Sequence, residues 1–402
     1  MKNIGETKIL KTILVVALAC VLAFAFAACS GSGSKAADEA PAADAGSSAA
    51  EEPAAEEPVV EEEEPAAVES VKPDITPEKT DIQIGTLNST AHLLAFVAAE
   101  EGFFAEEGLT ATVTPFASSG ELVTGLEEDK LDVALIGSVP TITNQSNGHD
   151  ITIFGGAMTN GHGYVIKKEY TEGLTDWDIT LLKGRNIASV RNSIQDLELL
   201  ILLDAAGIEV GEGEDQANIV YFESQKEAFA ALAGAEIDAA SVYSPYASVA
   251  KNQGYEVVYY CNEEEAFENQ PCCRQVAATS QIAERPQTYL AIERAFIKAY
   301  KFSQENKDKT IEDVKVYIDL EPEDLEYEIY GGHSVSHPDP DKVATTAVKE
   351  KVVSFGYAEN DYDLDQYYNT AIYKQAVESL IAEYPEDDLY KELLADFEKR
   401  DA

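Results

Sequence analysis

The chain has 402 residues, 45% of them hydrophobic and 9% aromatic, enough for two domains with real cores. Its formal charge is -45, from 29 basic and 74 acidic side chains. That balance argues against nucleic acid, which needs basic patches, and against adsorption on anionic lipid; a solubilising surface is the plain reading.

Lys2, Lys8 and Lys11 flank the start of an apolar run, "TILVVALACVLAFAFAACSGSGS", the pattern of a secretory signal over residues 1–28. "FAAC", Phe26 to Cys29, resembles a bacterial lipoprotein box. Ala27 and Ala28 fit it, and Phe26 stands where Leu is usual. The resemblance implies lipidation at Cys29, which would hold the exported protein on the outer face of the cytoplasmic membrane. Residues 29–80 read as a disordered acidic tether. Ala, Glu, Pro, Gly and Ser dominate it, and few large apolar side chains offset the ordering entropy. Fifty such residues span on the order of 40 Å when flexible.

The globular part is expected from Asp81. "DIQIGTLN" reads as a buried strand and polar loop, "AHLLAFVAAEEGFF" as a helix ending near Gly102, and "LTATVTPF" as a strand. "GELVTGLEEDK" is a helix, "LDVALIGSV" a buried strand, "PTITNQSNG" a helix with Pro140 in its first turn, and "DITIFGGAM" a strand. The series then repeats: strand "RNIASV", helix "IQDLELLILLDAAGI", strand "NIVYFES", helix "KEAFAALAGAE", strand "IDAASVY". "SGELVTGLEEDKLDVALIGSVP" and "SQKEAFAALAGAEIDAASVYSP" run side by side. Alternating strand and helix predicts an α/β fold of two parallel, doubly wound lobes. "QVAATSQIAE" reads as a return strand, with helices near 286–304, 310–317, 322–330, 340–355, 366–382 and 386–399.

In open α/β sheets, ligands bind beyond the carboxyl ends of the strands. Here those ends are short and polar: "TLNSTAH", "FASSGE", "GSVPT", "SVRNSIQ", "FESQKE" and "VYSPYA". They also open helices, whose N–H groups favour anions.

Four segments in order carry a family resemblance: "EGFFAEEGLTATV", "GLEEDKLDVALIGSVP", "LLKGRNIASVRNS" and "ALAGAEIDAASVYSPYA". Across about 81–355 the chain resembles the nitrate/sulfonate/taurine type of ABC-transporter substrate-binding protein, with relatives that bind thiamine-pyrimidine precursors. The resemblance implies a type II periplasmic-binding-protein fold: two lobes, a cleft between them, and ligand trapped by hinge closure. It implies lobe 1 over 81–170 and 275–402, lobe 2 over 171–274, and crossings near 163–183 and 260–280. Asn192 stands where many relatives have Gly, and Tyr243-Ser244 where many have Trp-Glu.

By motif position the ligand contacts are expected at Asn88, Ser89, Thr90, His92, Ser118, Ser119, Gly120, Ser138, Thr141, Arg191, Asn192, Ser193, Tyr243 and Ser244. The Ser, Thr and Asn among them serve equally as turn residues or helix caps. Arg191, one of six arginines, can grip a planar anion through two parallel bonds or pair with a carboxylate. His92 can cap a helix or face the cleft. Cys261 with Cys272 or Cys273 can close a disulfide loop, or all three can be free thiols near the cleft. His333 and His337 lie in a loop without a third ligand nearby, so no metal is expected. No nucleophile–base spacing or nucleotide loop is visible, so neither catalysis nor a cofactor is expected. The resemblance implies a monomeric receptor for a small polar solute, partnered by an ABC permease with its ATPase. The alternatives are a thiamine-pyrimidine-related binding protein or enzyme of the same fold, or a sensor acting on a separate partner.

Overall fold

The computed structural model describes residues 70–174, 177–359 and 362–401. The expected signal peptide, Cys29 and the tether up to residue 69 lie outside the described residues. The tether was expected to reach residue 80, yet the chain is already attached before that. The Val71 N–H donates to the Ala382 carbonyl at 2.9 Å. The Glu78 carboxylate accepts from the Thr288 N–H at 2.8 Å, and Lys79 meets Asp132 at 2.6 Å.

In the first part of the chain the elements are β1 (Asp81–Thr86), α1 (Leu93–Glu100), α2 (Phe103–Glu106), β2 (Thr110–Pro115), α3 (Ser119–Glu127), β3 (Val133–Gly137), α4 (Ser138–Ser146) and β4 (Ile151–Asn160). Then come β5 (His162–Ile166), β6 (Asn186–Val190), α5 (Ile194–Ala205), β7 (Asn218–Phe222), α6 (Gln225–Ala231), β8 (Ala239–Tyr243), α7 (Tyr246–Asn252) and β9 (Glu256–Tyr260). The chain ends with β10 (Pro271–Ala278), α8 (Thr279–Glu284), α9 (Pro286–Glu305), α10 (Lys307–Lys315), α11 (Pro322–Tyr330), β11 (Ser334–Ser336), α12 (Lys342–Ser354), α13 (Ala371–Glu383) and α14 (Asp388–Arg400). The first helix ends near Gly102, as expected, where Gly102 takes a left-handed φ of 77°, and Phe103 opens the short α2. "QVAATSQIAE" divides between β10 and α8 and is only half strand.

Two sheets form two lobes. The first has the order β11-β4-β10-β3-β1-β2, the second β7-β6-β8-β5-β9. Neither is wholly parallel as expected. β1 pairs parallel with β2 and β3, and β6 with β7 and β8. β10 and β5 then join antiparallel. The reason is connectivity: these strands arrive from the other lobe without the crossover helix that a parallel entry requires. The run β2-β1-β3-β10 therefore matches β7-β6-β8-β5, so the sequence repeat is also a topological repeat.

The first passage between sheets comes at Gly161, earlier than the expected 163–183, because β5 pairs at once with β8 and β9. The lobe boundary expected at 170/171 thus falls after a strand of the second sheet. The second passage runs through 261–270, between β9 and β10. Asn160 clasps it: its N–H donates to the Gln270 carbonyl at 2.9 Å and its side chain to the Phe267 carbonyl at 2.7 Å. Gly161 has a φ of 85°, and a Cβ there would meet the Met158 side chain at 2.6 Å.

The central strand β3 is buried through Val133, Ala134, Leu135 and Ile136. The long helix α9 starts on Pro286, whose fixed φ suits a first helical turn. It is anchored by Arg294, fully buried and bonded to Glu107 at 2.7 Å and to Glu383. The late helices pack on the first lobe through α9, with Ile297, Tyr373 and Leu380 in one cluster.

Candidate functional site

A cavity of about 270 Å³ opens between the lobes at the carboxyl ends of β1, β2, β3, β6, β7 and β8. Three helices begin on it. Ser118 caps α3 by accepting from the Glu121 N–H at 3.3 Å. Ser193 caps α5 through the Asp196 N–H at 3.2 Å, and Ser224 caps α6 through the Glu227 N–H at 3.2 Å. The cap and ligand readings of Ser118 and Ser193 are thus compatible, since both residues cap and both line the cavity.

Asp196 sits buried under the α5 terminus and accepts from Ser189 Oγ at 2.9 Å and Tyr357 OH at 2.6 Å. Burial pushes its carboxyl above the ordinary range, against the lowering effect of those bonds and of Arg191. Asn192 has a φ of 61°, the left-handed region that asparagine tolerates. That suits a position where the family resemblance implies Gly. Arg191 is exposed at the cavity wall, its guanidinium 3.8 Å from the centre of the Tyr221 ring.

His92 serves both expected roles. Its Nδ1 accepts the Leu87 N–H at 2.9 Å, which places the ring proton of the neutral form on Nε2. That Nε2 is buried without a partner in a ring that lines the cavity. Tyr243 lines the opposite side, edge-on to Tyr246 with centroids 5.5 Å apart.

Of the sequence-predicted residues, Ser89, His92, Ser118, Ser119, Gly120, Arg191, Asn192, Ser193 and Tyr243 share this one cavity. Five do not line it. Ser138 Oγ donates to the Pro271 carbonyl at 2.6 Å, and Thr141 Oγ1 to the Gly137 carbonyl at 2.8 Å. Thr90 and Ser244 bond each other in the lobe junction. Asn88 is exposed beside Tyr246.

Sequence reasoning missed Asn144, His162, Gln195, Ser224 and Gln225, which also line the cavity. Ser224 had a signal, because it lies in the repeat. The structure matches the cap Ser118 to the cap Ser224, one residue away from the alignment that set Ser119 beside it. His162 had none, because its place depends on where the chain changes lobes.

Cys261, Cys272 and Cys273 are free thiols, so the disulfide staple is not formed. Cys261 is buried beside Tyr164 OH at 3.8 Å, while Cys272 and Cys273 line the cavity. His333 faces Glu328 at 3.4 Å, and His337 lies tilted against Tyr300 with ring centroids 4.9 Å apart; burial drives the His337 pKa down to about 3. Among the described residues no three His, Cys or acidic side chains converge to hold a metal ion.

Two α/β lobes with a cleft between them define the periplasmic-binding-protein fold. The chain belongs to the NMT1-like family, whose model matches residues 75–317. It is 26% identical over 252 residues to YtlA of Bacillus subtilis (strain 168), provisionally named a binding protein; the match covers 61% of this chain and 73% of YtlA. The structure is similar to the periplasmic nitrate-binding protein NrtA from Synechocystis PCC 6803, with TM-score 0.66, 18% identity and coverage of 76% and 90%. The alkanesulfonate-binding protein SsuA from Xanthomonas axonopodis pv. citri, bound to MOPS, gives TM-score 0.62, 16% identity and coverage of 74% and 100%. The desulfurization enzyme DszB shares the fold at TM-score 0.57 and 14% identity, covering 75% and 99%.

Proposed function

We propose that the protein is the extracytoplasmic solute-binding component of an ABC importer. It traps a small polar anion of the nitrate, sulfonate or taurine kind between its lobes and delivers it to a permease. The observation that carries this reading is the convergence of three helix N-termini, from both lobes, on one cavity of about 270 Å³. Their N–H groups supply positive potential without a buried lysine. The Arg191 guanidinium adds a positive charge at the wall, and His92 Nε2–H adds a donor inside. The names of NrtA and SsuA support the same ligand class.

On this reading Ser89, His92, Ser118, Ser119, Gly120, Arg191, Asn192, Ser193 and Tyr243 contact the solute. Lipidation at Cys29 holds the mature chain at the membrane, and residues 30–69 give it reach. The exposed Glu223 at the same cavity suits the ammonium of a zwitterion such as taurine.

A thermal-shift panel of nitrate, ethanesulfonate, taurine, acetate, cytosine and simple amines tests the proposal. A ligand at a hundred times its Kd stabilises the folded state by about 2.7 kcal/mol. A rise in Tm with an anion from the first three supports it. A rise only with pyrimidines or amines, or none with any compound, overturns the anion reading.

A further inference from the structure

Cys272 and Cys273 are neighbours in β10, and neighbouring side chains in a regular strand point to opposite faces. Here the pairing with β4 slips between Pro271 and Cys273 and again between Cys273 and Arg274. Such a bulge re-aims side chains. Both residues line the cavity, only 3% and 6% exposed, and their sulfurs lie 3.2 Å apart.

Two histidines in the same cavity are unsatisfied on the side their neighbours leave open. His92 is 0% exposed and its Nε2 has no partner. His162 is 1% exposed; its Nδ1 lies 3.1 Å from the Glu198 carboxylate, and its Nε2 also has no partner. Glu198 is in turn held by Gln270 at 2.6 Å. A carboxylate behind an imidazole fixes the orientation of the ring. The Cys272 S–H lowers the Cys273 thiol most, against burial, and His92 and His162 lower it further, whereas burial raises Cys272. The anion reading uses neither sulfur, since a thiol is a weak hydrogen-bond donor.

We propose that Cys272 and Cys273 form a two-sulfur clamp for a thiophilic centre with two exchangeable bonds, such as the trivalent arsenic of a small organoarsenical. Among the described residues no third ligand group converges on the pair, so the clamp holds its guest through two sulfurs. Capture is a condensation. The arsenic exchanges its bonds to oxygen for two As–S bonds, the two thiol protons leave with the oxygen as water, and arsenic stays trivalent. His162 Nε2 accepts a proton in transit while its Nδ1–H stays on Glu198. In the adduct His92 Nε2–H, without a partner in the free protein, donates to the Cys273 sulfur. This goes beyond the anion reading and does not depend on it, because it needs only entry to the cavity.

The test uses the full-length, reduced protein and phenylarsine oxide at one equivalent. Peptide mapping after denaturation and alkylation is expected to show one arsenical, with Cys272 and Cys273 both protected and Cys261 alkylated. A dithiol should strip the adduct, while a monothiol should need about a hundredfold excess or more, the signature of two-point attachment. Cys272→Ser and Cys273→Ser, each with unchanged far-ultraviolet circular dichroism, should each weaken retention about a hundredfold. An adduct confined to Cys20, Cys29 or Cys261 overturns the proposal. So does one stripped equally by monothiol and dithiol, or one kept by either variant. If a variant fails to fold, the wild-type protection map and the thiol comparison still decide.

Discussion

Ser244, at the end of β8, donates a hydrogen bond of 2.5 Å to the Glu328 carboxylate of α11, across the junction of the two lobes. The Ser248 N–H adds a second at 2.9 Å, and His333 approaches at 3.4 Å. On the same spot Ser89 Oγ donates to the Ser244 carbonyl at 2.8 Å. One buried carboxylate thus ties the second lobe to the first. Burial raises the Glu328 carboxyl, but the His333, Ser244 and Ser248 bonds outweigh it and hold it below the ordinary glutamate value.

Glu328→Gln should therefore loosen the junction. Hydrogen bonds to a charged group contribute about 1.5–3 kcal/mol each. A loss of unfolding free energy of that order is expected in urea, with a larger radius of gyration by small-angle scattering. The pH dependence has a definite sign. A carboxyl depressed in the folded state stabilises above its unfolded value, and that stability is lost as pH falls through the folded value. The Tm of the wild type should thus converge on that of Glu328→Gln as pH drops below about 4.3. Parallel Tm curves over that range would refute the role.

Arg191→Ala should weaken binding of an anionic solute more than tenfold by calorimetry. Its guanidinium is exposed and rests on Tyr221, a contact contributing about 0.5–1 kcal/mol at such sites. Its effect on Tm should accordingly be small. Unchanged affinity would remove Arg191 from the solute contacts.

Glu107 receives Arg294 at 2.7 Å and Lys298 at 2.6 Å, all three largely buried. Burial raises the Glu107 carboxyl, and the two cations more than reverse this. Glu107→Ala leaves Arg294 with Glu383 and the Ser379 hydroxyl and should destabilise by about 3–5 kcal/mol in urea unfolding. A loss under about 1 kcal/mol would show that water replaces the carboxylate at no cost.

Asp132 and Asp238 occupy equivalent places in the two sheets. Asp132 accepts from the Gln83 N–H at 2.8 Å, and Asp238 from the Asn186 N–H at 2.9 Å. Asp132 also holds Lys79 and Arg285, whereas among the described residues Asp238 holds only the Tyr170 hydroxyl besides. Asp132→Ala should cost about 3 kcal/mol, as for a broken buried pair, and Asp238→Ala about 1 kcal/mol. Equal losses in thermal unfolding would contradict the difference in partners.

Much of this was legible in the residues. Strand–helix alternation announced two α/β lobes, and the repeated phrase marked matching strands, down to Asp132 and Asp238. Ser118 and Ser193 were legible too, because a cap bonds its own chain within a turn. Asn192 carried its left-handed φ in its residue type.

The repeated Ser–Pro phrase was expected to face the ligand on both sides, and tertiary contacts reassigned it. Ser138 spends its hydroxyl on Pro271, and Ser244 on Glu328, partners 133 and 84 residues away. His162 and the paired sulfurs likewise depend on the lobe change at Gly161 and the bulge in β10. Periodicity and capping are written within a few neighbouring residues, so the sequence alone determined the lobes and the helix starts around the cleft. Where a polar side chain points is set by whichever distant group completes its hydrogen bonds, and only the folded chain brings that group into place.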